Sequence, residues 1–277
     1  MVGCLEYDER GERHMKLEVL LATIDQKDDA VLDDMAVRSD IIVCNQTNEK
    51  TAYKIYDKNG YQVRWYDFQE RGVGLNRNNA LLRSTADICL LADDDEIFEE
   101  NYDKIVLEAF EKNPQADVIM FNFYLPNGQI RSNLKKKRRV RVRNCGKYGA
   151  YRIAFRRMSV IKNAISFNQL FGGGCMFTAG EDVIFTKTCL QKGLHIIEVP
   201  ECILRQVDRR PSTWFKGHDR SFYEDFGSGY YCNFGNLAYI ITFLQLIRRR
   251  KKMLGDYPFF KAWKHARDGI KKYKRLR

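Results

Sequence analysis

The sequence predicts an α/β fold: a Rossmann-like, mostly parallel sheet flanked by helices, followed by a basic helical C-terminal extension. Three observations predict it. Between residues 17 and 125, short apolar runs alternate with stretches of helical spacing, the pattern of βαβ units. The chain has 277 residues, 44% of them hydrophobic, enough to bury a sizeable core. An aspartate triplet directly follows one apolar run, and open α/β sheets bind their ligands at the carboxyl ends of their strands.

The elements follow in order. "LEVLLAT" (17–23) reads as a buried strand and "DIIVCN" (40–45) as a second, with a short helix between them. "YQVRWYDF" (61–68) alternates like a third strand. "GLNRNNALLRSTA" (74–86) has helical spacing, and "DICLLA" (87–92) is a fourth strand that ends at Asp93, Asp94 and Asp95. "NYDKIVLEAFEKN" (101–113) is an amphipathic helix closed by Pro114, which has no N–H to continue it. "DVIMFNFYL" (117–125) is a fifth strand, turned by Asn127-Gly128. "RRVRVR" (138–143) reads as a strand with arginines on one face, and His195 in "GLHIIEVP" as a locally satisfied strand residue. No repeat or low-complexity linker interrupts the chain. The expected division is a flexible tail (1–14), one main domain (15–215) and the helical basic extension (216–277).

The formal charge of +11 is unevenly placed. Residues 131–180 hold thirteen Lys or Arg and no acidic residue, and residues 246–277 hold thirteen basic and two acidic. The remainder is net acidic, which points to two anionic surfaces or ligands rather than general stickiness. Eight cysteines lack C-x-x-C spacing, so neither a zinc ribbon nor a disulfide framework is indicated, and reduced thiols fit a cytoplasmic setting. No run of about 18 apolar residues is present to span a bilayer. The opening "MVGCLEYDERGERH" lacks the apolar segment of a signal peptide.

The aspartates are the first chemical signal. Hard divalent cations prefer carboxylate oxygens, and Mg²⁺ often takes one or two of them together with substrate phosphates. Asp93 and Asp95 have the Asp-x-Asp spacing that suits a metal held mainly by a nucleotide diphosphate. On an extended backbone they share a face, one holding metal and the other touching ribose or metal-bound water, while Asp94 faces away. A solvated strand-end loop would read the same way. Glu181 and Asp182 open a second helical stretch, where carboxylates are also favoured by the helix dipole alone. Just before them "FGGG" (171–174) calls for unusual φ angles or a close approach, as a ligand loop or as a tight turn. It lacks the Gly-Lys-Ser/Thr ending of a P-loop.

Here the chain resembles family 2 glycosyltransferases of GT-A fold. The resemblance rests on "RGVGLNRNNALLRSTADICLLADDDEIF" (71–98) and "FGGGCMFTAGEDVIFTKTCLQKGLHIIEVPE" (171–201), and it covers roughly residues 16–215. The nearest look is to bacterial enzymes that build capsule, exopolysaccharide or lipopolysaccharide. It implies inverting transfer from a nucleotide diphosphate sugar, with Mn²⁺ or Mg²⁺, to a saccharide or polyprenyl-diphosphate-saccharide acceptor. Gly74, Arg77, Asn78, Asp87 and Asp93 to Asp95 match the donor motif. Asp95 is then the metal ligand, Asp93 the ribose or metal support, Asp182 the base with Glu181 beside it, and Gly172, Gly173 and Gly174 with Trp214 the acceptor side. Ser212 and Thr213 accompany Trp214 in a segment that approaches the diphosphate or acceptor. Thr23 and Asp25, after the first strand, are further donor candidates or turn residues. After the second strand the family often has an aspartate near uracil; here Asn45 and Gln46 stand there, and an amide can still hydrogen-bond a base edge. His218 is a candidate late metal ligand, or an ordinary surface histidine.

The basic runs admit rival readings. "NLKKKRRVRVRN" (133–144) is a solvated strand or a phosphate-binding patch, and as a nucleic-acid patch it lacks an accompanying RNA or helix-turn-helix motif. "NLAYIITFLQLIRRRKK" (236–252) suits an interfacial helix on an acidic leaflet, or a packing helix ended by cations. The expected setting is the cytoplasm, at the inner face of the cell membrane, with peripheral membrane contact and no nucleic acid. The competing functions are a non-catalytic nucleic-acid-binding protein using residues 131–180 and a nucleotidyltransferase using the same aspartates.

Overall fold

The computed structural model describes residues 14–207 and 217–276, which form two compact units. The first contains residues 14–71, 75–166 and 188–207; the second contains 72–74, 167–187 and 217–276.

The first unit is built on one sheet. Its elements are β1 (Leu17–Ile24), α1 (Ala30–Asp34), β2 (Ile41–Gln46), β3 (Ala52–Lys58), β4 (Tyr61–Phe68), most of α2 (Val73–Arg83), β5 (Ile88–Asp93), β6 (Glu96–Phe98), α3 (Tyr102–Glu111), β7 (Val118–Tyr124), β8 (Arg138–Arg139), β9 (Ile153–Arg156), α4 (Arg157–Lys162), the last residues of α5 (Glu181–Gln191), whose first turns belong to the second unit, and β10 (Ile196–Gln206). The strand order is β3-β4-β2-β1-β5-β9-β7-β10-β6, with β8 on β10. Strands β4, β2, β1 and β5 run parallel, as do β7 and β10, while β3, β6, β8 and β9 pair antiparallel. The strands β2 and β7 are almost wholly buried, which is why they read as continuous apolar runs rather than as alternation. One core joins Val19, Leu21, Val43, Trp65, Leu90, Val106, Phe110 and Phe121. The expected α/β sheet flanked by helices is thus the observed fold.

Strands β3, β6 and β9 were not read from the sequence, and one expected strand is cut short. β3 pairs with β4 across a turn at Asn59-Gly60, and its residues are mostly exposed, so it carries no core-facing stripe to announce it. The strand expected over 138–143 is only Arg138–Arg139, followed by a 3₁₀ turn at Val142–Asn144. The Asn144 side chain accepts the Arg141 N–H at 2.7 Å and its own N–H reaches Arg141 O at 2.9 Å, which ends the ladder. His195 sits one residue before β10, where its N–H donates to Asp117 Oδ2 at 2.7 Å.

Two buried carboxylates organise this unit. Glu18 on β1 accepts from Arg64, from Ser84 Oγ at 2.5 Å and from the N–H groups of Thr85 and Ala86, fixing the passage from α2 into β5. Glu198 on β10, 1% exposed, accepts from Arg138, from Tyr148 OH at 2.9 Å, and from Lys147 and Arg152 at 3.3 Å. The basic segment is acid-free in sequence because its carboxylate partner comes from a later strand. Others of its cations cap backbone: Arg156 reaches Ala116 O and Phe110 O, and Arg157 reaches Ala86 O.

The second unit gathers α6 (Arg220–Phe234), α7 (Ala238–Arg248), α8 (Arg250–Met253) and α9 (Phe259–Lys274) around Phe171, Phe177, Ile184, Tyr231, Ile270 and Tyr273. Helices α6 and α9 touch backbone to backbone. A Cβ on Gly227 would lie 1.9 Å from Ala266 O, and one on Gly269 would lie 2.0 Å from Glu224 O. Among the described residues no helix is long and apolar enough to cross a membrane, and none of the described cysteines forms a disulfide.

Candidate active site

Because β1, β2, β4 and β5 are parallel, their carboxyl ends share one edge of the sheet. Register aligns Thr23 with Asn45 and Asn45 with Asp67, and places Ala22 opposite Asp93. Polar residues thus line up where apolar strands stop.

Hydrogen bonds tie this edge together. Asn45 Oδ1 accepts from Gln26 N at 3.0 Å, and Asn45 Nδ2 donates to Gln26 O at 2.9 Å and to Asp67 Oδ1 at 2.7 Å. Trp65 Nε1 donates to the same Asp67 oxygen at 2.9 Å. Gln46 lies inward, its Nε2 3.5 Å from Thr23 O. Asp25, exposed and at φ +51°, meets Arg71 Nη2 at 3.1 Å, and Arg71 also donates to Asn48 Oδ1 at 2.8 Å. Neither Asp67 nor Gln26 was singled out in sequence. Asp67 ends an alternating strand and Gln26 lies in a loop, so the only available signal was a polar residue at a strand end.

The aspartate triplet is not extended. Asp93 closes β5, and Asp94 and Asp95 form the turn into β6, so strand alternation does not set their directions. Asp94 does not face away: its Oδ2 accepts from Thr23 Oγ1 at 2.5 Å and from Gln26 Nε2 at 3.0 Å, joining the triplet to the end of β1. Asp93 Oδ1 accepts from Arg77 Nη2 at 2.6 Å, and the Arg77 side chain is only 3% exposed. All three aspartates are half-buried. Asn78, beside Arg77, is buried. Gly74 has a packing reason: a Cβ there would lie 2.4 Å from Asn168 O.

Glu96 completes the cluster and was also missed. It is buried, its Oε2 accepts Asp93 N–H at 3.2 Å, and its Oε1 has no hydrogen-bond partner among the described residues. Burial, and then the charges of Asp93 and Asp95, push its carboxyl well above the usual range. So much acidity at one strand end suits a divalent cation. Among the described residues no three of His, Cys, Asp and Glu stand together as a complete metal site. Asp93 and Asp95 are the residues that could hold such a cation, and only together with ligands from outside the chain such as phosphates. His218 lies in the second unit, edge-on to Phe222 at 5.1 Å and 6.5 Å from the Tyr223 ring.

In the second unit, "FGGGCMF" is a tight loop. Phe171 and Phe177 form a bridge and stack at 4.9 Å, and Gly172 N donates to Phe177 O at 2.8 Å. Gly172 (φ +102°) is pressed close: a Cβ would lie 2.4 Å from Val73 Cγ1 and 2.9 Å from Glu181 Oε2. Gly173 has nothing within 4 Å of its Cβ position, and its carbonyl accepts from Val73 N at 2.9 Å. Gly174 is at φ +77°. Glu181 and Asp182 form the first turn of α5, where Asp182 Oδ1 accepts from Val183 N at 2.6 Å. Thr178, just upstream, is anchored through its N–H and hydroxyl to Asp225 of α6. Ser212, Thr213 and Trp214 lie outside the described residues.

The profile of glycosyl transferase family 2 matches residues 29–179. No curated protein matches the chain in sequence. Among solved structures, S. aureus TarS 1–349 in complex with UDP-GlcNAc is 14% identical with a TM-score of 0.60, covering 95% of this chain and 93% of that one. TarS 1–349 in complex with UDP is 14% identical with a TM-score of 0.57, covering 95% of this chain and 92% of that one. S. aureus TarS is 15% identical with a TM-score of 0.55, covering 94% of this chain and 54% of that one. At such identities the likeness speaks for the fold.

Proposed function

The chain belongs to glycosyl transferase family 2, and from that premise we propose that this glycosyltransferase moves a sugar, with inversion, from a UDP-type nucleotide diphosphate donor to a saccharide or lipid-linked saccharide hydroxyl in bacterial surface polysaccharide synthesis. The observation that carries the reading is the polar row at the carboxyl ends of β1, β2, β4 and β5, joined to the aspartate turn through Thr23 and Asp94. Related support comes from TarS, crystallised with UDP-GlcNAc.

Each residue has a task. Asp67, with Asn45 and Trp65 held on one of its oxygens, offers an acceptor to the imide edge of uracil. Arg77 holds Asp93 in place from a buried position, so the carboxylate keeps one orientation as donor arrives. Asp93 and Asp95 would hold Mn²⁺ or Mg²⁺; when bound, the ion offsets charge on the departing diphosphate. Asp182 takes the proton of the acceptor hydroxyl as its oxygen bonds to the anomeric carbon and the bond to the diphosphate breaks. A carboxylate serves as such a base when proton transfer is late and its geometry is good.

Thermal unfolding tests this reading. A ligand that binds only the folded protein raises its Tm. UDP with Mn²⁺ is expected to raise the Tm, with neither alone matching the pair and with the gain lost in Asp95→Ala. Indifference to UDP, GDP and other nucleotides, with and without Mn²⁺, would return the aspartates to a solvated loop. A gain from a nucleoside triphosphate alone would favour nucleotidyl transfer.

A further inference from the structure

Helix α7 is apolar on two faces. Ala238, Thr242 and Leu246, spaced by four, are buried within the second unit. A second stripe, Leu237, Ile240, Leu244 and Ile247, runs at spacings of three, four and three up the other side. These four are 62%, 61%, 56% and 51% exposed. No charged residue lies between Leu237 and Ile247. A surface helix of a globular protein ordinarily has one apolar stripe, and contiguous exposed apolar surface marks an interaction site.

The flanking charge identifies the occupant. Arg248, Arg249, Arg250, Lys251 and Lys252 follow the stripe directly, run from the end of α7 into α8, and are all exposed. From residue 226 to residue 255 the chain carries no acidic side chain. A second copy of the chain would meet the stripe with the same five cations, which repel. An anionic phospholipid surface offers hydrocarbon to the stripe and negative headgroups to the cations at once. Phe260, 77% exposed, adds a further large apolar group beside Phe259, whose ring lies edge-on to Phe243 of α7 at 5.4 Å. With no helix among the described residues long enough to cross a bilayer, the fitting posture is in the plane of the interface.

We propose that the exposed face of α7 and the cation run 248–252 dock the protein on an anionic lipid surface. This goes beyond the transfer reading and does not depend on it, since docking needs no donor, metal or acceptor.

Co-sedimentation of the whole protein with phosphatidylcholine vesicles, with and without phosphatidylglycerol, tests it. Binding is expected with phosphatidylglycerol, weaker without it, and falling as salt is raised. Ile240→Asp with Leu244→Asp should abolish it, and Arg249→Ala with Lys251→Ala should weaken it by roughly thirtyfold. All four side chains are exposed, so Tm should hold in both variants and separate lost docking from lost folding. No binding to anionic vesicles, equal binding to both vesicle types, or unchanged binding in either folded variant would overturn the proposal. So would a concentration-dependent dimer that Leu244→Asp dissociates, because the stripe would then belong to a protein partner.

Discussion

Asp225 on α6 accepts both the backbone N–H of Thr178, at 2.9 Å, and its hydroxyl, and Thr178 lies four residues before Asp182. Burial pushes the Asp225 carboxyl up, and the two Thr178 hydrogen bonds offset that in part. The helical extension is therefore tied to the loop that leads into the carboxylate pair of α5. Asp225→Ala should cost about 1–3 kcal/mol, since it leaves a half-buried N–H and hydroxyl without their acceptor, and Thr178→Val about 1 kcal/mol. Denaturant unfolding of both single variants and the double should give a double-variant loss smaller than the sum. Additive losses would mean that the two residues act apart.

The two neighbouring glycines of the "FGGG" loop should respond in opposite ways. Gly172→Ala forces a Cβ against Val73 Cγ1 and Glu181 at φ +102°, and should cost on the order of 1–3 kcal/mol. Gly173→Ala meets open space and should stay within about 0.5 kcal/mol. Thermal unfolding of the two variants side by side checks this; equal losses would show that the loop is held by something other than this packing.

Glu198 gives a pH signature. Burial alone would raise its carboxyl, but hydrogen bonds from Arg138 and Tyr148 and the charges of Lys147 and Arg152 hold it below its ordinary value of 4.5. A carboxyl lowered by folding contributes stability that is fully present above its unfolded value and is lost as pH falls through its folded one. Glu198→Gln should cost about 3–5 kcal/mol at neutral pH, because Arg152 is left buried without its counter-charge. The gap between variant and parent should be flat above pH 4.5 and narrow below it. Unfolding curves collected across that range decide it: a gap that widens in acid would mean that burial, not the cations, dominates.

Part of the candidate site was legible as a set of residues before the structure. Asp93 to Asp95 stood out because an unbroken apolar run ended in carboxylates, and Glu181 and Asp182 because they opened a helical stretch after glycines. Asp67, Gln26, Glu96 and Asp225 could not be read so. Asp67, Gln26 and Asp225 are ordinary polar residues that gain meaning from neighbours far along the chain, and Glu96, bonded to nearby Asp93, gains it from its burial. The directions of the aspartates were also beyond local reasoning, because a turn after β5 replaces the alternation of a strand.

The sequence by itself determined the α/β class, the main strands and helices, and the strand end at which carboxylates collect. Those follow from local periodicity and from where apolar runs stop, which are properties of contiguous residues. Only the tertiary structure decided that Asn45 and Asp67 share a row, that Glu198 gathers the acid-free basic segment, and that α7 keeps a second apolar face exposed. Parallel register, buried charge pairing and solvent exposure are set by residues distant in sequence, and no window along the chain contains both partners.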